Sequence, residues 1–177
     1  MSYIIQIKIV GGFIIVMTGF LIGNHFSNEI QKRQKLLTDM YEMFLLIENE
    51  LRYKRVILSE VFGNVSVKIE SPYKEFLQTI SFDLQDNLDA GKDKIWSVSV
   101  KKCINKADYP ENIYLMFERF GEKLGYLDIE SQLSNIDLFL NELKKEIDEN
   151  RERINEKCRL YKSMGIIFGI MLFIVIM

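Results

Sequence analysis

The sequence predicts an all-α protein: an antiparallel helical bundle on a two-helix stalk, with transmembrane helices at the N- and C-terminal ends. Three observations lead there. Apolar residues concentrate at the two chain ends. All 25 acidic residues and all but one of the 23 basic ones lie between those ends. Within that charged middle the apolar residues recur at steps of three and four, the period of a helix face. The near-zero mean hydropathy of +0.01 is therefore an average over unlike parts.

The first part is residues 4–23. From Ile9 to Ile22 no charge occurs, and extending back to Ile4 adds only Gln6 and Lys8. About 19 helical residues at 1.5 Å each span ~28 Å, close to a bilayer core. The following Gly23-Asn24-His25-Phe26 offers no A-x-A-like cleavage site, so an uncleaved anchor is expected rather than a signal peptide. The last part, 163–177, ends in fourteen residues without a polar side chain, Met164–Met177. That length suits a short membrane helix extended by Leu160 and Tyr161, with Arg159 and Lys162 snorkelling to the headgroups. A buried core helix is the alternative. Each segment holds glycines four apart, Gly19 and Gly23, Gly165 and Gly169. That spacing lets helix backbones approach closely in lipid, although membrane helices are glycine-rich in any case.

Flanking charge orients the two segments. Lys32, Arg33 and Lys35 follow the first, and Arg151, Arg153, Lys157, Arg159 and Lys162 precede the second. The opposite sides offer only Lys8. The positive-inside bias places residues 24–162 in the cytoplasm and both termini outside. Cys103 and Cys158 match no disulfide or metal spacing, which agrees with a reducing compartment.

Residues 24–162 read as a bundle that includes the stalk helices. Leu37, Met40, Phe44, Ile47 and Leu51 form a heptad-like seam continuing the first segment, and the series resumes at Leu58. Ile129, Leu133, Ile136, Leu140, Leu143 and Ile147 form a second seam, with the polar Asn150 beyond it. Because the seams are tied to opposite chain ends, they should run antiparallel. Shorter helices fill the interval. Ser71 and Pro72 should open one lined by Tyr73, Phe76, Leu77, Ile80 and Leu84. Lys94–Ile104 carries Trp96, Val100 and Cys103, after a loop at Ala90-Gly91-Lys92. Asp108 and Glu111 stand at capping-box spacing before a face of Ile113, Leu115, Met116, Phe117, Phe120 and Leu124. No strand-like alternation lasts long; Val65–Ile69 is the best candidate and covers only five residues.

No catalytic or cofactor constellation emerges. His25, the single histidine, sits where the first membrane segment would end. Gly11-Gly12 lies within an apolar run and follows no strand, so it is not a phosphate loop. Three scattered Cys and His residues do not make a zinc site. The carboxylates Glu48, Glu50, Glu142, Glu146, Asp148 and Glu149 share their helices with Lys and Arg, as solvated faces do. The pI near 5.6 argues against nucleic acid. An enzyme, a cofactor and a metal are accordingly not expected. The most specific string runs from Phe120 to Gln132: Gly125 suits a helix C-terminus and Asp128 the cap of the next helix, with Gln132 one turn on.

Taken together these strings resemble the stage III sporulation protein AB family. The similarity covers almost the whole chain. It rests on Arg33 with Leu36-Leu37, on Ile47-Glu48-Asn49-Glu50-Leu51-Arg52-Tyr53, on Leu58-Ser59-Glu60 and on Trp96. It rests most on Phe120-Gly121, Leu124-Gly125, Asp128 and Gln132, and closes with Ser163-Met164-Gly165 and Gly169. The resemblance marks Glu48, Glu50, Tyr53, Gly121, Leu124, Gly125, Asp128 and Gln132 as structural or interaction residues. It implies a non-enzymatic membrane scaffold of the secretion-like channel between mother cell and forespore, in the mother-cell membrane around the forespore. Its partners would be other membrane components, a cytoplasmic ATPase and the lipid bilayer, with room for association of several copies. The family's soluble region is similar to the helical domains of type II secretion and type IV pilus platform proteins, so a platform or adaptor of such a machine is the alternative. One departure is Ile57, where the family often has proline; without it the first helix is expected to run further before bending.

Overall fold

The computed structural model describes residues 2–54, 57–86, 92–123 and 129–176, and only scattered side chains within residues 2–23 and 152–176. Six α-helices follow one another among them: α1 (Ser2–Lys54), α2 (Leu58–Ser66), α3 (Tyr73–Asp86), α4 (Lys92–Cys103), α5 (Glu111–Phe120) and α6 (Ile129–Ile176). Two 3-10 turns, Lys106–Asp108 and Gly121–Lys123, punctuate the second half, and no strand occurs among the described residues. The Val65–Ile69 alternation is not a strand. Val65 and Ser66 end α2, and Lys68 N donates to Val65 O in the turn that follows.

The chain divides into two compact units. One combines residues 1–34 and 148–177, and its described parts are stretches of α1 and α6. The other, Lys35–Ile147, holds the core. In the second unit the whole α1 seam is buried: Leu37, Met40, Phe44, Ile47 and Leu51, joined by Met43. On α6, Ile136, Leu140 and Leu143 are buried, with Leu133 and Ile147 partly so, while Ile129 is exposed. Phe139, off the predicted seam, is buried as well and meets Phe44 at 4.5 Å between ring centroids. A large aromatic widens the apolar stripe beyond a strict heptad, as the helices of globular bundles do.

Several local expectations give way to tertiary demands. The first helix does not run on past the missing proline. Its described part closes at Lys54, residues 55–56 lie outside the described residues, and Ile57 sits in extended conformation (φ −70°, ψ 152°), its carbonyl accepting from Glu60 N and Val61 N to begin α2. An ordinary residue suffices there because the extended region is open to all L-residues. Helix α3 starts at Tyr73 rather than Pro72. The Ser71–Pro72 bond is cis, and the Ser71 hydroxyl donates to the Glu75 carboxylate at 2.5 Å instead of capping backbone. The capping box at Asp108 and Glu111 is not formed. Pro110 occupies the cap of α5 without a side-chain bond, and Asp108 belongs to the preceding 3-10 turn, which Asn105 caps through Ala107 N at 3.2 Å. On α5, Ile113, Tyr114 and Phe117 face inward. Leu115, on the opposite side of α5 from Ile113 and Phe117, and Met116, at the edge of their face, were expected inward and are exposed.

Candidate functional site

Trp96 is the centre of the core. Its indole is fully buried on α4 and its Nε1 donates to Phe117 O at 2.7 Å, so the one polar atom is satisfied. Around it stand Phe76 at 5.0 Å, Phe117 and Phe120 at 5.3 Å, Phe62 at 6.0 Å and Phe44 at 6.5 Å. These spacings and tilts are the favoured edge-to-face and offset geometries. Gly121, immediately after α5, is buried against this ring. A Cβ added there would come within 2.3 Å of Trp96 Cβ and Cγ. Its φ of −64° is ordinary, so the glycine answers to close approach and not to backbone conformation.

A polar cluster ties the connecting loops to α1. Glu50 is buried on α1 and accepts from Lys68 Nζ at 2.8 Å, joining the α2–α3 turn to the helix. Lys35 Nζ reaches Glu70 at 3.2 Å, and that hydrogen bond holds the ammonium above its usual pKa. Tyr73 donates to Leu36 O at 2.7 Å, and its oxygen lies 2.8 Å from the Tyr109 hydroxyl. Burial pushes the Tyr73 phenol well above the usual range and that of Tyr109 up to about 12. Burial likewise raises Asp39. Asp39, Glu42, Lys68, Ile69, Glu70 and Tyr73 line a cavity of about 240 Å³ there. Among the described residues no group of His, Cys, Asp or Glu could hold a metal ion.

On another side, α5, the Gly121 turn and α6 enclose an open groove of about 340 Å³. Phe120, Phe139, Met116 and Leu138 give it an apolar lining, and Leu138 is 64% exposed. Arg119 and Glu122 stand on its rim with Asn135. Concave apolar surface of this kind marks an interaction site more often than scattered exposed residues do.

The structure places the sequence-selected residues unevenly. Gly121 packs on Trp96, and Gln132 is buried near the start of α6. Glu48 accepts from Arg52 Nη2 at 2.6 Å one helical turn away, whereas Glu50 is held by Lys68. Tyr53 is exposed at the end of α1. Leu124, Gly125 and Asp128, and with them the expected helix-to-helix corner, lie outside the described residues; so do Ala90 and Gly91 of the expected loop. Gly19, Gly23, Gly165 and Gly169 fall within α1 and α6, and their packing lies outside what is described. Sequence reasoning missed the groove. The available signal was Leu138, an apolar residue off the α6 seam, which lines the groove with Met116, expected instead on the inner face of α5.

Among the described residues no helix is long and apolar enough to cross a membrane. The undescribed side chains of α1 and α6 include most of residues 4–23 and 163–177.

The described residues thus form an all-helical bundle with aromatic rings packed around Trp96 and an apolar groove beside Gly121. The stage III sporulation protein AB family matches residues 8–177, and the chain belongs to that family. It is similar to stage III sporulation protein AB of Bacillus subtilis (strain 168), at 26% identity over 97% of this chain and 100% of that protein. A solved structure of stage III sporulation protein AB shares the fold, with a TM-score of 0.61 at 21% identity, covering 70% of this chain and 97% of the other.

Proposed function

We propose that the protein is a non-enzymatic membrane scaffold of the secretion-like complex joining mother cell and forespore, with its bundle in the cytoplasm. One observation carries this reading. The apolar chain ends are not separate tails. Residues 4–23 continue without a break into the α1 seam that forms the core, and residues 163–176 continue α6 in the same way. A bundle whose two long helices both end in predominantly apolar segments is built to be held at a bilayer. In this reading Gly19, Gly23, Gly165 and Gly169 pack membrane helices, against each other or against neighbouring components.

The partners in this proposal are other membrane components of the channel and a cytoplasmic ATPase that docks on the bundle. Tyr53, exposed at the end of α1, is the candidate contact point. The decisive experiment pairs a deletion strain with topology mapping. Arrest after engulfment is expected; normal spores with lost pili or secretion would transfer the chain to the platform reading. In a Cys103→Ser, Cys158→Ser background, a thiol placed at exposed Lys106 should resist an impermeant reagent in intact cells and react in lysates. Reaction in intact cells would overturn the cytoplasmic assignment. Absence of in-cell crosslinks between bundle and ATPase would remove the ATPase from the proposal.

A further inference from the structure

The groove between α5 and α6 has a feature that selects its occupant. Its floor is apolar, from Phe120, Phe139 and Met116, while Leu138 stands at its edge largely exposed. Its rim carries one positive and one negative side chain, Arg119 and Glu122, three residues apart and both exposed. Neither forms an ion pair within the chain among the described residues, whereas Glu111 and Glu118 of α5 pair with Lys106 of the preceding turn and Lys101 of α4.

We propose that this groove is a self-association surface occupied by a second copy of the chain. A ligand bearing a single sign of charge would meet one rim residue favourably and the other unfavourably. A two-fold related copy meets both favourably. In an isologous contact residue i faces j and j faces i, so Arg119 of each copy faces Glu122 of the other. The same operation brings the exposed Leu138 and Met116 of each copy over the apolar floor opposite. A volume of about 340 Å³ equals that of about ten water molecules and admits a leucine side chain. The chain's net charge of only −2 leaves little long-range repulsion between copies. Rim charges fix the register of the contact and the apolar floor supplies its driving force.

The test uses the full-length chain in mild detergent, with Cys103→Ser and Cys158→Ser and a single thiol at Leu138→Cys. A short-spacer bis-maleimide should link two copies, whereas the same thiol at Val98→Cys, exposed on α4 away from the groove, should not. Arg119→Glu alone and Glu122→Arg alone should each reduce the linked dimer about tenfold, because each juxtaposes like charges twice. The double reversal Arg119→Glu with Glu122→Arg should restore it to within about twofold, since opposite charges face each other again. Both positions are exposed, so thermal melts should coincide across the series and exclude misfolding as the cause. Equal crosslinking at Leu138 and Val98 would overturn the proposal. So would a double reversal no better than the singles, or a photo-crosslinker at Leu138 that captures only other proteins in cells.

Discussion

Phe120 and Phe139 each have two sides, and the contrast between those sides organises the molecule. Toward the core they meet Phe44 at 4.8 and 4.5 Å and each other at 5.7 Å, with Trp96 at 5.3 Å from Phe120. Toward solvent they line an open groove edged by Met116 and Leu138. The same chemistry thus serves a centre in which Gly121 leaves no room for one carbon atom and a surface that has room to spare. Tight packing makes the first intolerant of change and binds its energy to folding. Incomplete burial leaves the second tolerant of change and its energy available for association.

The largest effect should come from the centre. Trp96→Ala removes a fully buried indole and its bond to Phe117, with an expected cost of about 4 kcal/mol in chemical denaturation. Gly121→Ala should follow at about 3 kcal/mol, because its Cβ meets a Trp96 Cβ that cannot swing away. If Gly121→Ala melted with the wild type, the distinction between centre and groove would collapse.

High pH separates the polar cluster from both. A buried phenol whose pKa is raised contributes stability that is complete below the unfolded value near 10 and lost as pH climbs through the folded value. For Tyr109 that window runs from 10 to about 12. Unfolding free energy should fall by about 1 kcal/mol through Tyr109 by pH 11, and Tyr109→Phe should flatten the slope. A slope unchanged in Tyr109→Phe would place the titration elsewhere. Lys68→Met should cost about 1 kcal/mol, because Glu50 is buried while the lysine is nearly half exposed and its attraction is screened. Smallest of all, Leu138→Asp should change stability by no more than about 0.5 kcal/mol. Its consequence should appear instead as lost self-association, read by analytical ultracentrifugation of the full-length chain in mild detergent.

Some of this was legible in the sequence because periodicity and burial are the same fact seen twice. Leu37, Met40, Phe44, Ile47 and Leu51 had to share a face, and a face that apolar has to be covered. The periodicity places Trp96 on a middle helix, as observed, but does not mark it as the centre of the core. Gly121 was singled out within its string, but its reason was not visible, since the clash it avoids involves a residue 25 positions earlier. Glu48 and Glu50 looked alike in sequence. Only the arrival of Lys68 distinguishes the buried clamp from the surface pair with Arg52.

The sequence by itself determined the helical class, the segregation of apolar ends from a charged middle, and the seams of α1 and α6, because these depend on spacing along one chain. Tertiary structure decided where α1 stops without a proline, which face of α5 turns inward, and which aromatics close the core. It also decided that Met116 and Leu138 meet at a groove. Those outcomes depend on how neighbouring helices fill the space around Trp96, and no local pattern encodes the distance between residues on different helices.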